Sequence, residues 1–254
     1  MHTNSCLAFV TRSTLVASLA AALVACGAEN PAGIDDASNI GTGGGSVGSG
    51  ANRATSASSC NGVIGAVSVE LVSVPGGATC TLEGTRVRGD VKVASGATLV
   101  ATAARIDGNI QAEDALAVST YRDTYVGGDV QVKRRAAVRI ESTTIIGNLQ
   151  VEESGVTLQA ADNIIGGDLQ VKKALSAVIS RTRVDGDLQL EENQGALSST
   201  GASVRGNLQV FKNRGGVRLE DNRVSQALQC KENSPSPVGG SNVAGEKEEQ
   251  CRVL

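Results

Sequence analysis

Rings are almost missing from this chain: tryptophan is absent, and only Phe9, Phe211, Tyr121 and Tyr125 are aromatic. A wide globular core relies on such side chains for much of its buried area, so their scarcity excludes a conventional thick core. A thin interior of stacked β-branched and small side chains fits the abundant Val, Leu, Ile, Ala and Gly. Histidine is nearly missing too. The single one, His2, stands in the first residues of a leader-like segment. A chain that loses it has no side chain of the commonest acid, base and metal-ligand type, and no cofactor is expected. Basic excess is lacking as well. Without residues 1–25 the basic residues lose only Arg12, leaving 22 against 26 acidic ones. Nucleic acid is therefore not an expected partner, because phosphate binding needs a basic stripe.

Residues 1–25 have a short polar start containing Arg12, then an apolar stretch from Leu15 to Val24. Such a stretch is too short to span a bilayer but suits the core of a signal peptide. It ends in Leu23-Val24-Ala25-Cys26-Gly27, which resembles the lipobox of bacterial lipoproteins. The resemblance implies cleavage before Cys26, acyl chains on its sulfur and anchoring in a membrane, for which more than one chain is needed. Gly27 stands where the family's inner-membrane retention signal is usually Asp, implying the outer membrane in a Gram-negative cell. Residues 26–59 are mostly Gly, Ser, Ala, Asn and Thr, and read as a flexible tether spanning about 30 Å.

Beyond the tether the chain repeats itself. Gly89-Asp90-Val91-Lys92-Val93 recurs as Gly108-Asn109-Ile110-Gln111-Ala112, Gly128-Asp129-Val130-Gln131-Val132 and Gly147-Asn148-Leu149-Gln150-Val151, and again from Gly167, Gly186, Gly206 and, degenerate, Gln226. A branched residue stands two places before each start, from Val87 and Ile106 to Val204 and Val224. An earlier copy is read at Val63-Ile64-Gly65-Ala66-Val67-Ser68-Val69, with extra length before the next placed at Pro75-Gly76-Gly77. Inside each copy two apolar residues flank a polar one, the alternation of a strand buried on one face. A second alternating pair precedes the next copy, as in Val138/Ile140, Ala177/Ile179 and Val217/Leu219. Strands this short cannot stand alone; stacking repeat on repeat satisfies their backbones and closes an apolar column.

The residues after each motif test the stacking independently. They run Glu113-Asp114, Lys133-Arg134, Glu152-Glu153, Lys172-Lys173 and Glu191-Glu192, then Phe211-Lys212 and Lys231-Glu232. In register these charges lie above one another at about 4.8 Å, where unlike neighbours attract and a slip of one coil sets like against like. The expected fold is therefore all-β: a single-domain parallel β-helix, or β-solenoid, of about nine coils of 19–20 residues over residues 60–245, closed by a polar cap at 246–254. Parallel crossovers favour the right hand.

Solenoid ends need covering, and the four remaining cysteines sit near them. Cys60 precedes the first coil, Cys80 faces inward, Cys230 is the last core position of the final motif, and Cys251 lies in the polar tail. An exported protein with an even count favours Cys60–Cys80 and Cys230–Cys251 over the two other connectivities.

The Asp/Asn column from Asp90 to Asn207 reads as bend residues, in preference to calcium ligands or paired acids. The Gln column, Gln111, Gln131, Gln150, Gln170, Gln189, Gln209 and Gln229, reads as an outward amide ladder or as a flat face for sugar. Tyr121 and Tyr125 are candidates for stacking on a sugar or for filling a coil. The uniform spacing leaves no room for long loops carrying an active site, so no enzyme is expected. The GDLQV/GNLQV coils resemble bacterial β-solenoid proteins of the broad bactofilin-like type over roughly residues 60–245. That resemblance implies a fold; the leader, cysteines and polar terminal coil depart from cytoplasmic bactofilins. The expected role is that of a cell-envelope lipoprotein, a monomer presenting a rigid solenoid on a tether. The alternatives are an adhesin or glycan binder for cell-wall or surface polysaccharide and, less favoured, an enzyme acting on polysaccharide.

Overall fold

A computed structural model describes residues 57–254 except Ser154. The leader, Cys26 and all of the tether before Ala57 lie outside the described residues. Every regular element among them is a β-strand, and every strand pairing is parallel. The strands stack as a β-solenoid of about ten turns.

Each turn carries three strands. The motif strand is three or four residues long, as in Val130–Lys133, with its two apolar residues buried and its Gln facing out. A second strand of three to five residues follows, as in Ala137–Glu141. A two- or three-residue strand such as Thr143–Ile145 leads into the next motif. The second strands form a ten-stranded sheet of their own. The other two sets share a nineteen-stranded sheet, because near the C-terminus Arg223–Lys231 and Val243–Glu249 run through both positions without a break.

The register is that of the repeat. Ile110 pairs with Val130, Val130 with Leu149, Leu149 with Leu169, and so on to Leu228. The branched residues before each motif, Val87, Ile106, Val126, Ile145, Ile165, Val184, Val204 and Val224, are all buried. So are Val138, Ile140, Ala177, Ile179, Val217 and Leu219 of the second strands. The core is thus a column of aliphatic side chains one layer thick per rung, which accounts for the near absence of rings.

The first turn differs from the repeat-based reading. Val72 and Val74 pair with Val91 and Val93, and Val69 pairs with Val87. The motif strand preceding Val91–Val93 is therefore Leu71–Val74, while Val63 and Ile64 belong to the second-strand column against Thr81 and Leu82. Pro75-Gly76-Gly77 is an ordinary corner with no added length, since Thr79 still pairs with Thr98. Gly65 imitates the motif glycine in sequence but follows a strand of the second column. Here Glu70 and Leu71 occupy the corner that Gly and Asp or Asn make elsewhere, and one residue is missing from it. Ala57–Ser59 and Val243–Glu249 add motif-column rungs at the two ends, where sequence no longer shows the motif. This is why the turns number about ten against nine counted copies.

Three corners close each turn. At the corner before the motif strand, Gly is required by close approach: a Cβ on Gly108 would stand 2.5 Å from Asp90 Oδ1 and 2.7 Å from the Gly89 carbonyl oxygen. The other two corners use a left-handed residue. After the motif strand these are Asp114, Arg134, Glu153, Lys173, Glu192, Lys212 and Glu232, with φ between 53° and 77°. After the second strand they include Ala103, Asp123, Ser142, Asp162, Arg181, Asp221 and Ser241, with φ between 44° and 60°. A non-glycine residue there costs on the order of 1–2 kcal/mol. What offsets it is the residue that follows, which the reversal turns inward: Ala115, Ala174, Asn193, Asn213 and Asn233 at one corner, and Ala104, Thr124, Thr143, Asn163, Asn222 and Asn242 at the other are all buried.

Candidate functional site

Several columns of polar side chains run along the solenoid, and they differ in how far their hydrogen-bonding capacity is already used. The Asp/Asn column is engaged along its length through one side-chain oxygen of each residue. Asp90 Oδ1 accepts from the backbone N–H of Asn109 at 2.8 Å and from its side-chain amide at 3.0 Å. Asn109 Oδ1 accepts from Asp129 N–H, Asp129 from Asn148, Asn148 from Asp168, Asp168 from Asp187 and Asp187 from Asn207. Each side chain thus ties one coil to the next, a role between coils that the reading as local bend residues did not include. Among the described residues no group of three or more His, Cys, Asp or Glu side chains is placed to hold a metal ion.

Two interior asparagine ladders escaped the sequence reading. Asn193 donates from Nδ2 to the Val171 carbonyl at 3.0 Å and to Asn213 Oδ1 at 2.9 Å. Asn213 repeats this onto Leu190 and Asn233. Asn233 closes the series on Gln250 Oε1, which also accepts the Asn233 backbone N–H. At the other left-handed corner, Asn222 binds the Ser199 carbonyl and Asn242 Oδ1. A signal was present in the 20-residue steps Asn193, Asn213, Asn233 and Asn222, Asn242. Buried amides of this kind are the expected partners for corner backbone that lies inside.

The charged column is paired as its alternation predicts. Lys133 reaches Glu152 at 3.7 Å, Lys172 reaches Glu191 at 2.9 Å and Lys173 reaches Glu192 at 3.6 Å. Arg134 sits among Glu113, Asp114 and Glu153. The hydrogen bond to Glu191 holds Lys172 above the ordinary lysine range. On the short-strand face Asp107 takes both Arg86 and Arg105, and the hydrogen bond from Arg86 holds its carboxyl below the usual range. Arg181 does the same for Asp162.

The Gln column is an amide ladder only in part. The side chains stack in register from Gln111 through Gln131, Gln150, Gln170, Gln189, Gln209 and Gln229 to Glu248, with Lys92 and Ser73 before them. Gln170 donates to Gln189 at 2.7 Å, Gln209 to Gln229 at 3.4 Å and Gln229 to Glu248 at 3.2 Å. Gln111, Gln131 and Gln150 make no side-chain hydrogen bond among the described residues. Their end of the face holds a shallow open notch of about 620 Å³, lined by Ser73, Lys92, Ala94, Ser95, Gln111 and Gln131 among others. The tyrosines do not join it. Tyr125 has the Arg105 guanidinium 4.3 Å above its ring, and Arg139 lies 5.7 Å from that of Tyr121; both belong to other faces.

The cysteines pair as Cys60–Cys80 and Cys230–Cys251, with Cα separations of 5.4 and 5.2 Å. All four are buried. The first ties the opening turn to the next, and the second folds the tail back over the last complete motif strand.

No family model, no curated protein and no solved structure matches the chain.

Proposed function

We infer that this protein is a cell-envelope lipoprotein with a structural or interaction role, which presents a rigid β-solenoid on a flexible tether and performs no catalysis. The observation that carries the reading is that most of the fold's polar columns serve the stacking of its own coils. Its Asp and Asn side chains hold coil to coil, many of its exposed charges pair between rungs, and its cysteines close the ends. What remains for partners is surface. Anchoring rests on the Leu23-Val24-Ala25-Cys26 resemblance, and the two disulfides agree with an oxidising compartment outside the cytoplasm. Mass spectrometry of the membrane fraction tests it: the expected result is a chain beginning at an acylated Cys26, and an unmodified chain in the soluble fraction would refute the anchor.

A second reading, binding of cell-wall or surface polysaccharide by the Gln face, is favoured by one observation. Gln111, Gln131 and Gln150 leave their amides without side-chain partners on a flat, accessible sheet. A cell-wall pull-down that succeeds with the natural protein and fails with Gln150→Ala plus Gln170→Ala supports it.

A further inference from the structure

The notch on the Gln face exists because the charged column starts late. From Glu113 onward each motif strand is followed by two large side chains, mostly charged, but the preceding turn has Ala94 and Ser95 there. Both are exposed. Ala112 stands at the inward position that Val93, Val132 and Val151 occupy in neighbouring coils. The result is a shallow depression across neighbouring rungs, with the exposed Ala94 and Ser95 at its centre and Ser73, Lys92, Gln111 and Gln131 around them.

The walls carry unused capacity of a specific kind. Gln111 and Gln131 each offer a carbonyl acceptor beside an amide donor, a pairing that matches two adjacent hydroxyls. Ser73 and Ser95 add hydroxyls that donate or accept. Of the charged groups around the notch, Lys133 is paired with Glu152, and Glu113 and Asp114 share the single Arg134 with Glu153. Lys92, which replaces Gln in the column, is exposed and forms no ion pair among the described residues. Among the described residues Lys92 is thus a cation without an ion pair at the edge of a hydroxyl-matching site, with the exposed Ala94 methyl beside it for the C–H face of a ring.

We propose that this notch binds an acidic oligosaccharide, with Lys92 on a sugar carboxylate, Gln111 and Gln131 on ring hydroxyls, and one ring over Ala94. The proposal rests on the polysaccharide reading of the Gln face and locates it at that face's N-terminal end. The C-terminal end offers less, because Gln170, Gln189, Gln209 and Gln229 already bond within the column.

Isothermal titration calorimetry of the full chain with a trisaccharide of galacturonic acid, against the neutral galactose trisaccharide, tests this. Binding of the acidic probe at least tenfold tighter than the neutral one is expected. Lys92→Ala should weaken it tenfold or more. Ala94→Lys should abolish it without lowering the melting temperature, because the new lysine fills the notch and stands next in the column to Glu113. Equal binding of the two probes, no binding of either, or binding untouched by Ala94→Lys would overturn the proposal. Acidic-probe binding that survives Ala94→Lys but is lost in Gln150→Ala plus Gln170→Ala would refute the notch while leaving the face reading intact. Failure of the cell-wall pull-down together with both probes would remove the two at once.

Discussion

Asn213 shows what a single residue does in this fold. Its Oδ1 accepts from the backbone and side-chain amides of Asn193, at 3.0 and 2.9 Å, while its Nδ2 donates to Leu190 and Asn233. All of this is buried. Replacing it with alanine strands the Asn193 N–H and the Leu190 carbonyl without water, at ~1–3 kcal/mol for each orphaned group. Asn213→Ala should therefore destabilise the protein by about 3 kcal/mol, measured by denaturant unfolding. A loss within ~0.5 kcal/mol, the range of ordinary surface changes, would mean that the ladder is not what holds this corner. Asp107 and Asp162 matter in another way. Both carboxyls are held below their ordinary range by arginine hydrogen bonds. A depressed folded-state pKa contributes stability that is present above the unfolded value of about 3.9 and is lost as pH falls through the folded one. Melting temperature should therefore drop on acidification below that range. In Asp107→Asn the drop should be smaller, with the difference between the two proteins closing at the acid end.

At the scale of the strand, the charged column decides register more than stability. Lys172 lies between Glu152 and Glu191 in the ladder. Lys172→Glu places three carboxylates in successive rungs, which costs about 1 kcal/mol at exposed cross-strand sites and more at low salt. Adding Glu191→Lys should recover part of the loss, because the pair is rebuilt with its signs exchanged while Glu152 still faces a glutamate. Equal stability of all three proteins at low ionic strength would show that the alternation has no energetic role. The motif strands, the second strands and this ladder were all legible as periodicity, because alternation and spacing are properties of residue order. The left-handed corners were not. Asp114, Arg134, Glu153 and Lys173 have no shared chemistry that announces φ above zero; their conformation is imposed by the need to turn Ala115, Ala136, Val156 or Ala174 toward the interior.

For the molecule as a whole, a stack of coils is held mainly by contacts between neighbours, so its ends are its weak points. The disulfides meet this directly. Each closes a loop of about 20 residues and contributes roughly 3 kcal/mol in the chain-entropy model. Cys230→Ser with Cys251→Ser should lower the melting temperature and expose Lys247 and Arg252 to trypsin, while amide exchange in the strands from Val130 to Leu190 stays slow. Uniform loss of protection along the chain would show instead that the solenoid opens as one unit. The tail is more than a lid: Glu246, Lys247, Glu248 and Glu249 pair with Ala227, Leu228, Gln229 and Cys230 in the last strand. Gln250 completes the interior asparagine ladder. Composition alone reads that segment as polar surface, because nothing local distinguishes a glutamine that ends a buried ladder from one in solvent.

What residue order alone determined is the repeat: which positions face inward, how far apart the coils lie in the chain, which charges meet, and which cysteines stand near the ends. These follow because a period near 20 residues, once stacked, leaves each residue type one consistent place. Tertiary structure decided the rest. It placed the motif strand preceding Val91–Val93 at Leu71–Val74 instead of around Val67, since pairing with Val91 and Val93 fixes the rung whatever the local glycine suggests. It turned asparagines into an interior ladder and left a notch beside Lys92. Both outcomes depend on what the next coil puts directly alongside, which no single stretch of the chain contains.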